Sequence, residues 1–550
     1  GAEARRVVPA LASAGEWLLW LGFIIDIKVY GMLGVHIYQP TVWDGLQGEN
    51  IAKELQLNAA TGWSAALVLV LSGVGQGVLY GLCRWVSGRS EGRWGGRLYG
   101  AALGVAALGV CLTVALRPQS AQGTLVEQSM PFFEALVAPE RLRYDAQEIT
   151  YPAQGAPQEV ALRRRPDILW VQVESLRADH VNEALTPRLL AFAQDPSNHC
   201  LMSERHYASA QTTERATFSL LYGLDAYQYA PFARDEVASY PLQLLRRAGY
   251  ALTGVSASSL RHFKKAKFIV DNFDAYEEHL KSDYGEDDRL LVERAKERLG
   301  QPHDTPQFMF LFLFSTHHPY FYPPQLERFK PVLALDYDHM VGDYATPEEQ
   351  LQAHNRYRNS VTYIDALFDD LMEGLRARRE AGELVIIFVG DHGEEFWEHG
   401  LFGHSAPRFV EERGRVPLLM CLPGQAPTRV ERSAHVDVWP TLLDYLSAQP
   451  PALEHYTQGR SLLRPLPPNQ SDLVVGLDFP HDHSTACLIG ARHKVWVELC
   501  GGEELCLEPF RVTDLDDGFS LSALRDETLQ AYLSDFQAKH QRFIRWRPLR

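Results

Sequence analysis

Four short apolar runs constrain this chain more than anything else in it: "ILWVQV" (168–173), "ALTGVS" (251–256), "FMFLFLF" (308–314) and "LVIIFV" (384–389). A strand with one face in water alternates apolar and polar residues, whereas a strand covered on both faces reads as a continuous apolar run. Helical stretches such as "PLQLLRRAG" and "YRNSVTYIDALFDDLMEGLRARRE" lie between the runs. The alternation predicts an α/β domain with a mostly parallel central sheet covered by helices. Residues 473–511 differ: "LVVGL", "ACLIG", "KVWVEL" and "ELCLEPF" are separated by turns, which predicts a small antiparallel sheet in a C-terminal subdomain. There is no internal repeat.

The first 117 residues follow another pattern. Neither Asn58–Cys83 nor Leu98–Leu116 carries a charge. Roughly 20 apolar residues cross a bilayer as a helix, and the small residues here let such helices approach closely. Both read as membrane spans rather than buried core helices, because both faces of each are apolar. Glu16–Tyr38 is a third candidate, weakened by Asp26 and Lys28, which are costly at membrane depth. Arg84, Arg89, Arg93 and Arg97 lie between the two clear spans and place that loop in the cytoplasm, where Arg5 and Arg6 also place the start if all three spans exist. Residues 39–57 and everything after Arg117 are then expected outside, in the periplasm or extracellular space, with the spans themselves serving for export in place of a cleavable signal. The expected plan is a multi-pass inner-membrane region (1–117), a Pro-, Gln- and Ala-rich connector (118–166) and a soluble catalytic domain (167–550) whose C-terminal subdomain begins near 473. The chain opens on Gly1, so a native start upstream is expected.

The net charge of −16 excludes the basic footprint of a nucleic-acid binder. Seven cysteines do not make a disulfide scaffold. Cys500 and Cys506 flank a Gly-Gly turn and form either a bridge in an oxidising compartment or a free buried pair.

Parallel sheets gather ligands at the carboxyl ends of their strands. Glu174 follows the first run. His317 and His318 follow the third. "GDHGEEFWEHGLFGH" follows the fourth, with Asp391, His392, His399 and His404. Between the first two, Thr212 and Thr213 open a helix with Glu214 in its first turn. Singly, these are a capping acid, an N-cap, a turn and a loop; together they read as one metal site. Glu, Asp and His suit one divalent ion, Zn²⁺ or Mn²⁺, with Mg²⁺ or Ca²⁺ as alternatives. A hydroxyl on such an ion loses its proton readily, and a helix N-terminus favours an anion, so Thr212 or Thr213 is a candidate nucleophile toward a phosphoryl group.

Across 167–511 the pattern resembles the alkaline phosphatase/sulfatase superfamily. The residues that carry the likeness are "ILWVQVESLRADH", "THHPY", "VGDHGEEFWEHGLFGH…RVPLLMCLPG" and "HVDVWPTLLDYL". Formylglycine sulfatases require Cys-x-Pro-x-Arg at the nucleophile, and this chain has "TTERA" there. Threonine is what lipoteichoic acid synthases and phosphoethanolamine transferases use. Within that branch, "HYASAQTTERATFSLLYGLDAY" and "IIDIKVYGMLGVHIYQPTVW" are most similar to the YejM (PbgA) inner-membrane protein family, whose five spans imply two more upstream. Members that act as lipopolysaccharide sensors have lost much of the metal motif, whereas this chain keeps Asp-His-Gly-Glu, which favours catalysis.

The resemblance implies that Glu174, Thr213, Asp391 and His392 hold the metal. Thr213 is then the nucleophile, His317 and His404 contact the substrate, the role of His399 is open, and His318 and His435 are structural. The function expected is a membrane-anchored, metal-dependent phosphotransferase or phosphoesterase. It acts on lipid-linked phosphoesters, with membrane phospholipid or lipopolysaccharide as partner and membrane helices available to a membrane-protein partner. The rival readings are a lipopolysaccharide- or cardiolipin-binding regulator and a sulfuric ester hydrolase using unmodified threonine.

Overall fold

The computed structural model describes residues 144–261, 266–278, 284–335, 346–400, 402–404, 409–465, 474–476, 485–500, 506–515 and 525–548. The three apolar N-terminal segments and residues 118–143 of the connector lie outside them. Among the described residues no helix is long and apolar enough to cross a membrane.

The strands, in chain order, are β1 (Tyr144–Ile149), β2 (Asp167–Val173), β3 (Cys200–Tyr207), β4 (Ala251–Ser256), β5 (Ala275–Glu278), β6 (Gln307–Leu313), β7 (Leu384–Gly390), β8 (Glu395–Phe396), β9 (Phe402–Gly403), β10 (Arg415–Val416), β11 (Leu418–Cys421) and β12 (Thr428–Ala434). One sheet runs β10-β3-β11-β7-β2-β6-β4-β5, with β12 paired to β3. The pairings β2–β6, β2–β7, β4–β6, β4–β5 and β3–β12 are parallel. β10–β3, β11–β3 and β11–β7 are antiparallel. The sheet is therefore mostly parallel, with β11 inserted antiparallel between β3 and β7. Every residue of β2, β6 and β7 is buried, which is why the three read as apolar runs.

The principal helices are α1 (Thr213–Tyr222), α2 (Tyr284–Gly300), α3 (Pro347–Gly374) and α4 (Val438–Leu446). α3 starts at a capping box: Glu349 N–H donates to Thr346 Oγ1 at 3.3 Å, and Thr346 N–H donates to Glu349 Oε2 at 2.7 Å. Pro347 occupies the first turn, where its missing N–H costs nothing. Tyr357, Val361, Ile364, Phe368 and Leu371 recur at helical spacing and are buried. Phe368 meets Phe388 of β7 edge to face, 5.4 Å between centroids. On the other face Trp439 of α4 packs against Trp170 and Phe308 at 5.5 and 5.9 Å. Each such side chain contributes about 1.5–3 kcal/mol by leaving water.

The C-terminal strands β13 (Val474–Gly476), β14 (Thr485–Ile489), β15 (His493–Cys500) and β16 (Cys506–Asp514) form the expected antiparallel sheet. Helix α5 (Asp526–His540) and strand β17 (Ile544–Pro548) follow, and β17 pairs antiparallel with β1. Part of the connector is thus built into this domain. Tyr151 is buried and donates to the Tyr222 carbonyl at 3.2 Å, and Arg164 Nη1 donates to the Pro423 carbonyl at 2.7 Å. Composition alone gave no sign of this, because the partners lie far along the chain.

Cys500 and Cys506 stand opposite each other in the β15–β16 register, but their side chains lie outside the described residues. Among the described residues a disulfide joins Cys200 and Cys421, neighbours on β3 and β11.

Candidate active site

β2 and β7 run parallel with Val173 beside Gly390, so the residues just past their ends emerge together. The Glu174 N–H continues the ladder to the Leu313 carbonyl at 3.0 Å, and the Asp391 N–H does so to the Val173 carbonyl at 3.1 Å. Both acids, and His392, are fully buried. α1 points its first turn at them. Its body, Arg215–Tyr222, is buried, and the Gln172 amide of β2 donates to Thr217 Oγ1 at 2.7 Å, which sets the helix against the strand. Thr213 Oγ1 then lies 3.1 and 3.2 Å from the two Glu174 oxygens and 3.3 Å from His392 Nε2. Thr212 Oγ1 instead donates to Glu214 Oε1 at 3.3 Å.

The Asp391 carboxylate is half satisfied. Its Oδ1 accepts from the Ser175 N–H at 2.9 Å and the His392 N–H at 2.6 Å, whereas the buried Oδ2 has no hydrogen-bond partner. His392 Nδ1 donates to the Gly393 carbonyl at 3.0 Å, which orients Nε2 toward Glu174 Oε1 at 3.2 Å. Gly393 is required here, since a Cβ would lie 2.0 Å from the Glu412 carbonyl oxygen.

The charges are out of balance. Burial and the neighbouring Glu174 push the Asp391 carboxyl well above its usual range. Burial works against protonating His392, yet Asp391 and Glu174 push its pKa up to about 10. Burial raises Glu174 too, but His392, His317 and His404 bring it below the usual carboxylate range. A proton here does the work of a positive charge that the protein itself does not supply. The donors of Glu174, Thr213, Asp391 and His392 fit a divalent cation of the zinc or manganese kind, and Asp391 Oδ2, which accepts no hydrogen bond, would give it an anchor. His404 belongs to the same cluster: Glu174, His392 and His404 present ligand atoms all within 4.8 Å of one another.

Two imidazoles rim the cluster. His404 stands 4.4 Å from His392 between ring centroids, with Nδ1 3.2 Å from Glu394 Oε2. His317 lies 5.7 Å from His404, stacked on Phe314 at 4.4 Å, with Nδ1 donating to the His318 carbonyl at 2.7 Å. Burial holds His317 below the usual imidazole range. Thr316 Oγ1 donates to the Glu174 carbonyl, tying the His317 turn to the end of β2. The remaining histidines stand apart. His399 Nε2 meets Glu412 at 3.0 Å. His318 packs on Tyr320 and Phe402. His435 is buried, pushed down to about 3 by burial, and bonds the Gly390 carbonyl at 3.1 Å.

Sequence reasoning gave Glu394 no role, although it is buried and holds His404. The signal it left is Gly403: β8 and β9 pair Glu395 with Gly403, and that fold-back returns His404 to Glu394. The buried Arg413–Glu395 pair at 3.1 Å, which anchors the same loop, left no signal.

Comparison with known proteins identifies the family. The Sulfatase family model matches residues 166–448, just over half of the chain. The choline-sulfatase of Rhizobium meliloti is 27% identical over 220 residues, 38% of this chain and 41% of that protein. The phosphoethanolamine transferase EptA of Escherichia coli O157:H7 is 27% identical over 117 residues, 20% of each. The chain thus spans less than half the length of these curated relatives. A protein of the alkaline phosphatase superfamily from Vibrio parahaemolyticus shares the fold with TM-score 0.50 at 18% identity, covering 72% of this chain and 90% of that one.

Proposed function

The chain belongs to the sulfatase family and is an enzyme of that hydrolase and transferase superfamily; from this premise we propose that it transfers or hydrolyses phosphoesters with Thr213 as nucleophile. The observation that carries the reading is the Thr213 hydroxyl, within 3.3 Å of both Glu174 and His392 at the mouth of a buried, negatively biased cluster. Glu174, Thr213, Asp391 and His392 would hold one divalent ion, Zn²⁺ or Mn²⁺, which lowers the hydroxyl's pKa and offsets phosphoryl charge.

Thr213 Oγ1, its proton released to solvent, attacks phosphorus, the bond to the leaving oxygen breaks, and the phosphoryl group passes to the threonine. His404, oriented by Glu394, delivers a proton to the leaving oxygen, and His317 contacts the phosphoryl oxygens. Water or an acceptor hydroxyl then displaces Thr213. We assign the domain to the outside of the cytoplasmic membrane, tethered by the N-terminal spans, with phospholipid or lipopolysaccharide as the lipid-linked substrate. The Cys200–Cys421 disulfide supports that compartment, and the EptA relative supports the transfer of a phospho-headgroup.

The choline-sulfatase relative favours a second reading, sulfate-ester hydrolysis at the same threonine. The test is turnover of chromogenic phosphoesters, phosphodiesters and sulfate esters by protein loaded with Mn²⁺ or Zn²⁺. Thr213→Ala should lower the rate roughly 10⁶-fold, to background. Equal rates for wild type and variant on every substrate overturn the assignment, and turnover of sulfate esters alone selects the second reading.

A further inference from the structure

A second pair of metal-capable side chains lies outside the site just described. His180 ends the turn that follows Glu174, and His354 stands on α3, 174 residues later. Their Nε2 atoms face each other at 2.8 Å, and behind them His180 Nδ1 meets Asp179 Oδ1 at 2.8 Å. Neutral imidazoles can place only one hydrogen between two such nitrogens, and Asp179 already engages the other nitrogen of His180. His180 is buried, and His354 is half-buried and stacked on Phe396 at 4.9 Å.

The charges around the pair are few. Arg177 binds Asp179 at 2.6 Å and Glu398 at 2.5 Å, so these three groups sum to one negative charge. Arg358, one turn along α3, packs its guanidinium on the Phe329 ring at 3.8 Å. Burial, with His180, Arg177 and Arg358, pushes His354 down to about 4, so its ring is neutral with a lone pair to offer.

We propose that His180 and His354 form a second divalent-cation site, of the zinc or copper class, with water completing the coordination. Two imidazoles on a tetrahedral ion, at roughly 2.0–2.1 Å each, stand about 3.3 Å apart, which the pair reaches by opening about half an ångström. The carboxylate behind His180 is the kind of partner that orients a ligating imidazole. No ligand is shared with the Glu174–His392 cluster. The occupant would pin α3 to the turn after β2, and through Arg177, whose Nη1 donates to the Glu394 carbonyl at 3.1 Å, to the loop that carries Glu394.

The test is metal content. Metal-stripped full chain is loaded with Zn²⁺, gel-filtered and analysed for wild type, His354→Gln, His180→Gln and His392→Ala. Wild type should hold one equivalent more than either Gln variant, and His392→Ala should keep the equivalent of the pair. In the His392→Ala background, Cu²⁺ should show an EPR spectrum of two equatorial imidazole nitrogens, lost on adding His354→Gln. Equal zinc in folded wild type and His354→Gln overturns the proposal and leaves the pair a hydrogen bond only. Should the Gln variants not fold, a Cu²⁺ spectrum without nitrogen coupling in His392→Ala overturns it equally. Neither readout depends on turnover, so a failure here is distinct from a failure of the phosphotransfer reading.

Discussion

Strand β2 begins at the buried Asp167 and runs out into the buried Glu174, so one strand carries an acid at each end. At the first end the protein answers the charge. Asp167 accepts from the Gln307 N–H at 2.9 Å, from His303 Nε2 at 2.8 Å and from the Arg378 guanidinium. At the second end Glu174 is joined by another carboxylate, Asp391, and the nearest positive group is an imidazole that must itself be protonated to help. Both ends are buried; what separates the structural acid from the proposed metal ligand is whether the fold supplies the countercharge.

That contrast can be broken or sharpened by substitution. The largest effect is expected from Asp391→Asn. Losing this proposed ligand should weaken cation binding and lower turnover by roughly 10⁴-fold or more. The metal-free protein should melt no lower than wild type, because the repulsion with Glu174 is gone. Metal analysis and calorimetry of the stripped protein check both halves, and a destabilised apo form would show that the two ends of β2 are alike after all.

Asp167→Asn should do the reverse. It strands Arg378 and His303 and is expected to cost about 3–5 kcal/mol of stability in denaturant titrations, with metal content unchanged.

Asp225 gives a third outcome, an acid served by a proton. Burial pushes it up to about 7; Lys539 opposes this and Asp437 and Asp535 add to it. The folded state therefore binds that proton more tightly than the unfolded state does. The resulting stability is complete below 3.8 and is lost as pH rises to about 7. The loss is about 4 kcal/mol at most. Asp225→Asn should flatten the slope of stability against pH across that window.

The features readable from sequence are those written locally. β2, β6 and β7 announced themselves because each is buried along its whole length, and the acids and imidazoles beyond their ends are near in sequence to the runs that position them. What stayed hidden depends on partners remote in the chain. β11 is a four-residue strand wedged antiparallel between β3 and β7, and its neighbours, not its composition, decide its direction. β1 lay within a stretch composed like a linker and is a strand only because β17 reaches it. Cys500 and Cys506 drew notice because they are close in sequence, whereas Cys200 and Cys421, separated by 221 residues, gave no hint of each other.

That last bond turns residues 200–421 into a covalent ring. Thr213, His317, Asp391, His392 and His404 all ride on it; Glu174 alone reaches in from outside. Closing so long a loop restricts the unfolded chain by about 5 kcal/mol on chain-entropy reasoning. It also means that a protease nicking any exposed bend within the ring leaves a molecule still in one piece, and only a reductant then lets the halves drift apart.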